Sequence, residues 1–144
     1  MAALDAVYEK VFDVIGSSQQ SDVIERLRDI TQFHSALVSS EPSGFVYPLF
    51  EFVAAAPSGS LRKALGTRQM KAVDAVASIV REGQQQGSIV SDADPEQVAW
   101  QLISVAWAED IASLMGLERF TGAGRGKRMV DLILTSISSK IAAR

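Results

Sequence analysis

The first forty residues show two runs of apolar side chains at three- and four-residue steps, the spacing that places them on one face of an α-helix. Gly16 and the polar residues 17–20 end the first run. Ser21 is placed to cap the second helix, with Asp22 in its first turn. The predicted core faces are Leu4, Val7, Tyr8, Val11 and Ile15 in the first helix, and Val23, Leu27, Ile30, His34 and Leu37 in the second.

Proline and glycine divide the middle of the chain. Residues 41–44 predict a turn. Pro48 is expected in the first turn of a short helix that ends at Ala56, because proline is tolerated there and not deeper. A break at residues 57–59 follows this helix. The short helix is unusually aromatic, with Phe45, Tyr47, Phe50 and Phe52 in and just before it.

Two long helices follow. The first is predicted over residues 60–86, with Gly87 as the C-terminal cap, where a positive φ is needed. The second begins after Asp94, which can cap it, and has Pro95 at its first position and Gln97 at capping-box spacing. We expect this second helix to cover residues 95–115.

The helix over residues 95–115 is apolar on two sides, which is typical of a helix between a core and a partner, or in the centre of a domain. Glu109 and Asp110 interrupt the pattern and are expected at the rim of an interface. A glycine-rich loop over residues 121–126 precedes a last helix. The two sides of the long helix are Val98, Leu102, Val105 and Ala112, and Trp100, Ile103, Trp107, Ile111 and Leu114; those of the last helix are Val130, Ile133, Leu134, Ile137 and Ile141, and Met129, Leu132 and Ser136.

The β-branched residues fall at helical rather than alternating spacing, so the pattern predicts an all-α protein, a six-helix bundle forming one domain over residues 1–144. With 47% hydrophobic and 22% charged residues, the composition is that of an ordinary globular domain. The net charge of −3 argues against an autonomous nucleic-acid binder, because such domains carry a basic surplus that neutralises phosphates.

The absence of cysteine excludes a disulfide framework, a thiolate metal site and a cysteine nucleophile. No apolar run approaches the roughly 20 residues that a membrane span requires. Residues 1–7 lack the basic start and long apolar stretch of a signal peptide. We therefore expect a cytoplasmic protein with no membrane partner.

The segment REGQQQGSIVSDADPEQVAW, residues 81–100, resembles the C-terminal half of the TetR family of transcriptional repressors. In that family a long helix ends near an E-G-x-x-x-G pattern, and an acidic loop with a D-P-E cap leads into the first dimerisation helix. The resemblance in helix order covers essentially the whole chain, whereas the motif covers only this segment. The matching residues are Glu82, Gly83 and Gly87 in the first element and Asp92, Asp94, Pro95 and Glu96 in the second.

The resemblance implies an effector-sensing and dimerisation domain that lacks the family's N-terminal helix-turn-helix head. Nothing in the sequence matches that head, and residues 2–8 resemble the helix that would follow it. The chain as written is therefore expected not to bind operator DNA. In an intact parent, a small and mostly apolar effector would control DNA binding allosterically. The alternative is a headless helical homodimer that acts as an interaction or scaffold protein without a ligand.

The aromatic residues of the first four helices favour an apolar cavity between them, and ligand pockets are mostly apolar with a few polar groups. His34, the only histidine, is either a satisfied core residue or a hydrogen-bonding partner of the ligand; without cysteine partners it is not expected to hold a metal. Each of these side chains can equally be an ordinary core residue. The candidate ligand contacts are Tyr8, Phe12, Phe33, His34, Tyr47, Phe50, Gln69 and Met70.

In the resembling family, the last two long helices pair with their symmetry mates as a four-helix-bundle dimer interface. Small side chains on the first of them would allow close approach, and a tryptophan could anchor the contact. The alternative is a monomer in which both apolar faces pack inside the domain. The candidate interface residues are Trp100, Ser104, Trp107, Ala108, Ile111, Val130, Ile133, Leu134 and Ile137.

Catalytic and nucleotide-binding motifs are not apparent. Residues 122–128 resemble a phosphate-binding loop superficially, but Thr121 and Arg128 break the required spacing and no strand precedes them. Asp92 and Asp94 are better explained by capping, and no serine lies in a motif that pairs it with His34. We therefore expect no catalytic residue, no cofactor and no enzymatic activity, which leaves a small helical enzyme as the weakest alternative.

Overall fold

Six α-helices make up most of the structure, a computed structural model that describes residues 1–55, 58–121 and 124–139, with residues 42–45 described by their backbone alone. The prediction of an all-α six-helix bundle is confirmed, and no strand occurs within these ranges. The helices are α1 (Ala2–Ile15), α2 (Val23–Ser40), α3 (Pro42–Ala55), α4 (Gly59–Gln86), α5 (Pro95–Leu114) and α6 (Arg125–Ile137), with a short 3₁₀ helix at Glu118–Phe120.

The ends of α4 and α5 follow the local sequence. Gly87 closes α4 in the left-handed conformation at φ 79°, which glycine adopts without steric cost. Asp94 caps α5, because its carboxylate accepts hydrogen bonds from the backbone N–H groups of Glu96 and Gln97 at 3.0 and 3.3 Å. Pro95 takes the first helical position, where its missing N–H costs nothing.

Two helix starts differ from the prediction. Asp22, and not Ser21, caps α2, since the Asp22 carboxylate accepts from the Glu25 N–H at 3.2 Å. Residues 41–44 do not form a separate turn: α3 begins at Pro42, and Pro48 lies inside the helix. Proline suits the first helical position, so Pro42 can start the helix, and packing of the apolar α3 offsets the hydrogen bond that Pro48 cannot donate. The predicted end of this helix at Ala56 lies outside the described residues.

The last helix also begins earlier than the glycine-rich loop predicts. α6 starts at Arg125, so Gly126 belongs to the helix and is buried. The other end of α6 is tied to the segment after α4, because Val90 N–H donates to the Ile137 carbonyl at 2.9 Å. Ile141, predicted on the core face, lies outside the described residues.

Two large groups of buried side chains and the small pair Val38 and Val46 form the core of the described residues. The larger group joins α2, α4, α5 and α6, with Leu27, Val80 and Leu134 almost fully buried. The smaller group joins α1 to α3 and α4 around Leu4 and Leu49. Burying one such side chain contributes about 1.5–3 kcal/mol. No helix in the described part of the chain has both the length and the apolar character of a membrane span.

Candidate ligand-binding site

A cavity of about 100 Å³ lies between the two core groups. Side chains of α1, α2, α4 and α5 form most of its wall, and α3 and α6 contribute one residue each. The wall is largely aliphatic, which suits an apolar ligand. Its apolar residues are Val11, Val14, Ile15, Leu27, Ile30, Leu49, Ala72, Val76, Leu102, Ile103, Val105, Ala106, Trp107 and Val130.

A small set of polar side chains interrupts this apolar wall. His34 comes from α2, whereas Glu109 and Asp110 come from the middle of α5, and all three are buried, with 7%, 4% and 1% of their surface exposed. Thr31 and Gln69 complete the polar part of the wall. Buried ionisable groups are rare unless they are paired, so their position beside a cavity marks this as the candidate site.

The burial of Glu109 and Asp110 corrects the prediction that they lie at an interface rim. Both side chains turn toward α2 and the interior. The apolar pattern of α5 could not show this, because a carboxylate that finds a polar partner inside a domain interrupts the pattern in the same way as one at its edge.

Consecutive residues of α2 and α5 face each other in reverse order. His34 Nε2 lies 3.0 Å from Asp110 Oδ1, and the Ser35 hydroxyl donates to Glu109, with Oγ 2.8 and 3.0 Å from its two carboxylate oxygens. Although Asp110 Oδ1 is close to the imidazole, it accepts no hydrogen bond from the described residues. The two atoms are therefore at ion-pair distance without the alignment of a hydrogen bond.

Glu109 also determines how closely α6 approaches α5. A Cβ atom added at Gly126 would lie 2.5 Å from Glu109 Oε1 and 3.1 Å from its Cγ, so only glycine fits there without movement of the carboxylate. Beyond the cavity, Glu109 borders a polar groove between α2 and α6 and an apolar groove between α5 and α6. One side chain thus connects the interior with both surfaces.

A second polar contact lies behind the wall on the opposite side. The Tyr8 hydroxyl donates to Gln69 Oε1 at 3.0 Å, joining α1 to α4. Burial raises the pKa of Tyr8, and the positive charge of Arg68 offsets part of this rise. The contact holds Gln69, a wall residue, against the first helix.

The structure brings together only part of the predicted ligand-binding set. His34 and Gln69 line the cavity, and Tyr8 contacts Gln69 from behind. Phe50 packs instead against the small buried pair Val38 and Val46. The other four are on the surface, with Phe12, Phe33, Tyr47 and Met70 between 37% and 48% exposed.

The cavity wall is therefore largely aliphatic, with Trp107 as an aromatic member, and the predicted aromatic contacts Phe12, Phe33, Tyr47 and Phe50 do not line it. Glu109 and Asp110 are the functional candidates that the sequence reasoning placed elsewhere. A signal for them existed: two consecutive acids in the middle of an otherwise apolar helix require polar partners, and His34 with Ser35 is the consecutive polar pair that provides them.

A surface on the other side of α5, here called the outer face, exposes large apolar side chains. Several of them are 37–72% exposed, and the rings of Trp100 and Trp107 meet edge to face with centroids 5.3 Å apart. A concentration of apolar side chains at the surface is typical of an interaction site. The exposed residues of the outer face are Trp100, Ile111, Leu114, Met115, Leu117, Phe120, Met129 and Leu132.

The predicted interface residues divide between the outer face and the core. On α5, Trp100, Ala108 and Ile111 are exposed and Ser104 and Trp107 are half-buried. On α6, Ile133 is half-buried, whereas Val130, Leu134 and Ile137 are buried within the chain itself, with at most 6% exposed. The exposed side of α6 is the one with Met129 and Leu132, because the more regular apolar face packs on α2 and α5.

The described residues were expected to hold no metal ion, and the grouping of their acidic and histidine side chains bears on that expectation. No group of three or more His, Asp or Glu side chains that could hold a metal ion occurs within residues 1–55, 58–121 and 124–139. Comparisons of the chain with protein-family models, with curated proteins and with solved structures find no match.

Proposed function

We propose that this chain is an effector-sensing domain that binds a small, mostly apolar molecule in its cavity and forms a homodimer through its outer face. The observation that carries the proposal is the cavity itself, with three buried ionisable side chains on an aliphatic wall. An apolar pocket with a few fixed polar groups is the usual form of a small-molecule site.

The buried polar groups support binding over a purely structural role. A core of this size is stable without ionisable residues, and burying carboxylates costs free energy unless they are well paired. Because Asp110 Oδ1 accepts no hydrogen bond from any described residue, the pair with His34 does not recover this cost fully. A ligand in the cavity supplies the contact that the core does not.

The outer face supports self-association. Its apolar side chains lie along α5 and α6, so two copies related by a two-fold axis would bury the same surface on both. The two helices and their mates would then form a four-helix bundle. The exposed set extends along α5 from Trp100 to Leu114 and continues into α6 at Met129 and Leu132.

The resemblance of residues 81–100 to TetR-type repressors extends the proposal to what the sensing domain would control, which is DNA binding in an intact parent protein. In such a regulator, a ligand that favours one arrangement of α1 against the dimer core changes the spacing of two DNA-binding heads and releases the operator. This coupling requires the ligand to bind the two arrangements with different affinity. Tyr8 and Gln69 link α1 to the cavity wall and would transmit the change.

Native mass spectrometry and a thermal-shift screen test the proposal together. The gently purified chain is expected at twice its mass of 15.5 kDa, and members of a library of small apolar compounds are expected to raise its Tm. A dimer that binds no compound would favour the alternative of a scaffold protein. A clean monomer at tens of micromolar, with no bound compound, would overturn the proposal.

A further inference from the structure

We infer that the cavity binds a compact apolar ligand that carries one protonated amine, and that Asp110 receives the amine. This inference rests on the proposed sensing function and names the chemical class of its effector. It is carried by three observations: the charge balance of the cavity wall, the unsatisfied oxygen of Asp110, and the size and apolar character of the remaining wall.

The wall has an excess of acidic groups. His34 can hold one positive charge, whereas Glu109 and Asp110 can hold two negative charges, and no lysine or arginine among the described residues lines the cavity. Arg28 and Lys127 border the groove on the far side of Glu109, and both contact Asp131. A low-dielectric cavity with more carboxylates than cations attracts a cationic ligand and repels an anionic one.

The geometry points to Asp110 as the receiving group. Its side chain is 2% exposed and lines the cavity, and within the described part of the chain Oδ1 accepts no hydrogen bond even though His34 Nε2 is 3.0 Å away. Glu109, in contrast, already accepts the Ser35 hydroxyl on both oxygens. A protonated amine would donate to Asp110 Oδ1 and neutralise its charge at the same time, which makes the hydrogen bond charge-assisted.

The rest of the wall limits the body of the ligand. An apolar cavity engineered at about 150 Å³ holds a benzene ring, so a cavity of about 100 Å³ fits a hydrocarbon body smaller than benzene. The aliphatic residues on the side away from α5, including Val11, Leu49 and Val76, give this body apolar contacts. An amine on a short or cyclic hydrocarbon meets both requirements.

Three probes of nearly equal size separate charge from shape: isobutylamine, isobutyl alcohol and isobutyrate, all with a body smaller than benzene. Calorimetric titration of the whole chain at pH 7 should show isobutylamine binding about tenfold or more tightly than isobutyl alcohol, with no measurable heat from isobutyrate. Because His34 is the only histidine, its imidazole NMR signals need no assignment, and they should shift with isobutylamine if the amine sits in the cavity.

Asp110→Asn is the variant that tests the receiving group. It should bring the affinities of isobutylamine and isobutyl alcohol to within about twofold of each other. Asp74→Asn removes the same charge from an exposed position of α4 outside the cavity and should leave the tenfold preference intact. If Asp110→Asn does not fold, as judged by circular dichroism, the order of the three probes on the natural chain and the His34 shift still decide the inference.

The outcomes separate this inference from the function on which it rests. Equal binding of isobutylamine and isobutyl alcohol, or tighter binding of isobutyrate, would overturn the amine assignment and leave a sensing cavity for neutral or anionic ligands. Binding of neutral library compounds without any binding of isobutylamine would do the same. Absence of binding by every probe and every library compound would overturn both the inference and the sensing function.

Discussion

The inner cavity and the outer face lie on opposite sides of α5. The cavity side buries charged groups, and the outer side exposes apolar ones. In the cavity, α5 buries Glu109 and Asp110 among aliphatic side chains, whereas on the outer face it exposes Trp100 and Ile111 to water. Each arrangement costs free energy for an isolated chain, in one case through lost hydration of charge and in the other through hydrated apolar surface. The two costs differ in what can offset them. Polar residues of α2 offset part of the cost of burying the carboxylates, whereas offsetting the cost of the exposed apolar surface would require a second molecule.

The largest effect on the free energy of unfolding should come from truncation of a buried leucine in α6. The two leucines of this helix lie on opposite sides of it, one buried and one exposed. Leu134 is fully buried and Leu132 is 72% exposed, so the same substitution tests both environments. We expect Leu134→Ala to lower the free energy of unfolding by about 2–5 kcal/mol and Leu132→Ala to change it by less than about 0.5 kcal/mol. Urea unfolding at a concentration where the chain is monomeric measures both; equal losses would mean that the helix is rotated.

The second prediction concerns association through the outer face. Leu132→Glu places a charge in the proposed contact twice, once from each copy, and should weaken the dimer about 100-fold or more without unfolding the chain. Val53→Glu is the matched control, since Val53 is 50% exposed on α3, away from this face. Sedimentation equilibrium should give the monomer mass of 15.5 kDa for the first variant only. Identical behaviour of the two variants would place the contact elsewhere.

A smaller effect tests the inner polar pair. Ser35→Ala removes the donor to Glu109 and leaves a buried carboxylate less satisfied, which should cost about 1–3 kcal/mol. Ser39 lies one turn further on α2, is exposed, and donates only to the Ser35 carbonyl. Ser39→Ala should therefore change the free energy of unfolding by less than about 0.5 kcal/mol. A loss as small in Ser35→Ala would show that water replaces the hydroxyl.

The smallest effect is a pH dependence at the other end of the cavity. Since burial raises the pKa of Tyr8 in the folded chain, the unfolded chain releases the phenol proton first as the pH rises. The contribution of Tyr8 is thus fully present below about pH 10 and is lost above it, by less than about 1 kcal/mol at pH 10.5. Unfolding curves at pH 8 and pH 10.5 should show this loss in the natural chain and in Tyr47→Phe, an exposed control, but not in Tyr8→Phe.

Much of the fold follows from local pattern. The helical spacing of apolar residues predicted six helices, and the caps at Gly87 and Asp94 follow from short-range rules, because a left-handed residue and a carboxylate cap act within one turn of the chain. Predictions were less accurate where two proline positions compete for the start of one helix. Pro42 and Pro48 are both compatible with a first turn, and only the packing of α3 decides between them.

The candidate site was predicted only in part, for a physical reason. His34 and Gln69 could be placed on inner faces by spacing alone, and both line the cavity. Phe12, Phe33 and Met70 flank the core faces of their helices, and a few tens of degrees of rotation about the helix axis decide whether such residues are inside or outside. That rotation is set by contacts with neighbouring helices and not by the sequence of the helix itself.

The helices, their caps, the core faces of α1 and α2 and the two-sided character of α5 follow from the sequence, since these depend on residues within one or two turns of each other. Which apolar side of α5 and of α6 is buried, and which polar residues meet, depends on the packing of the helices against one another. Glu109 and Asp110 lie 74 and 76 positions beyond Ser35 and His34 along the chain, and nothing local links them. The packing of α2 against α5 brings them together, because a buried carboxylate needs a partner and a second helix can supply one.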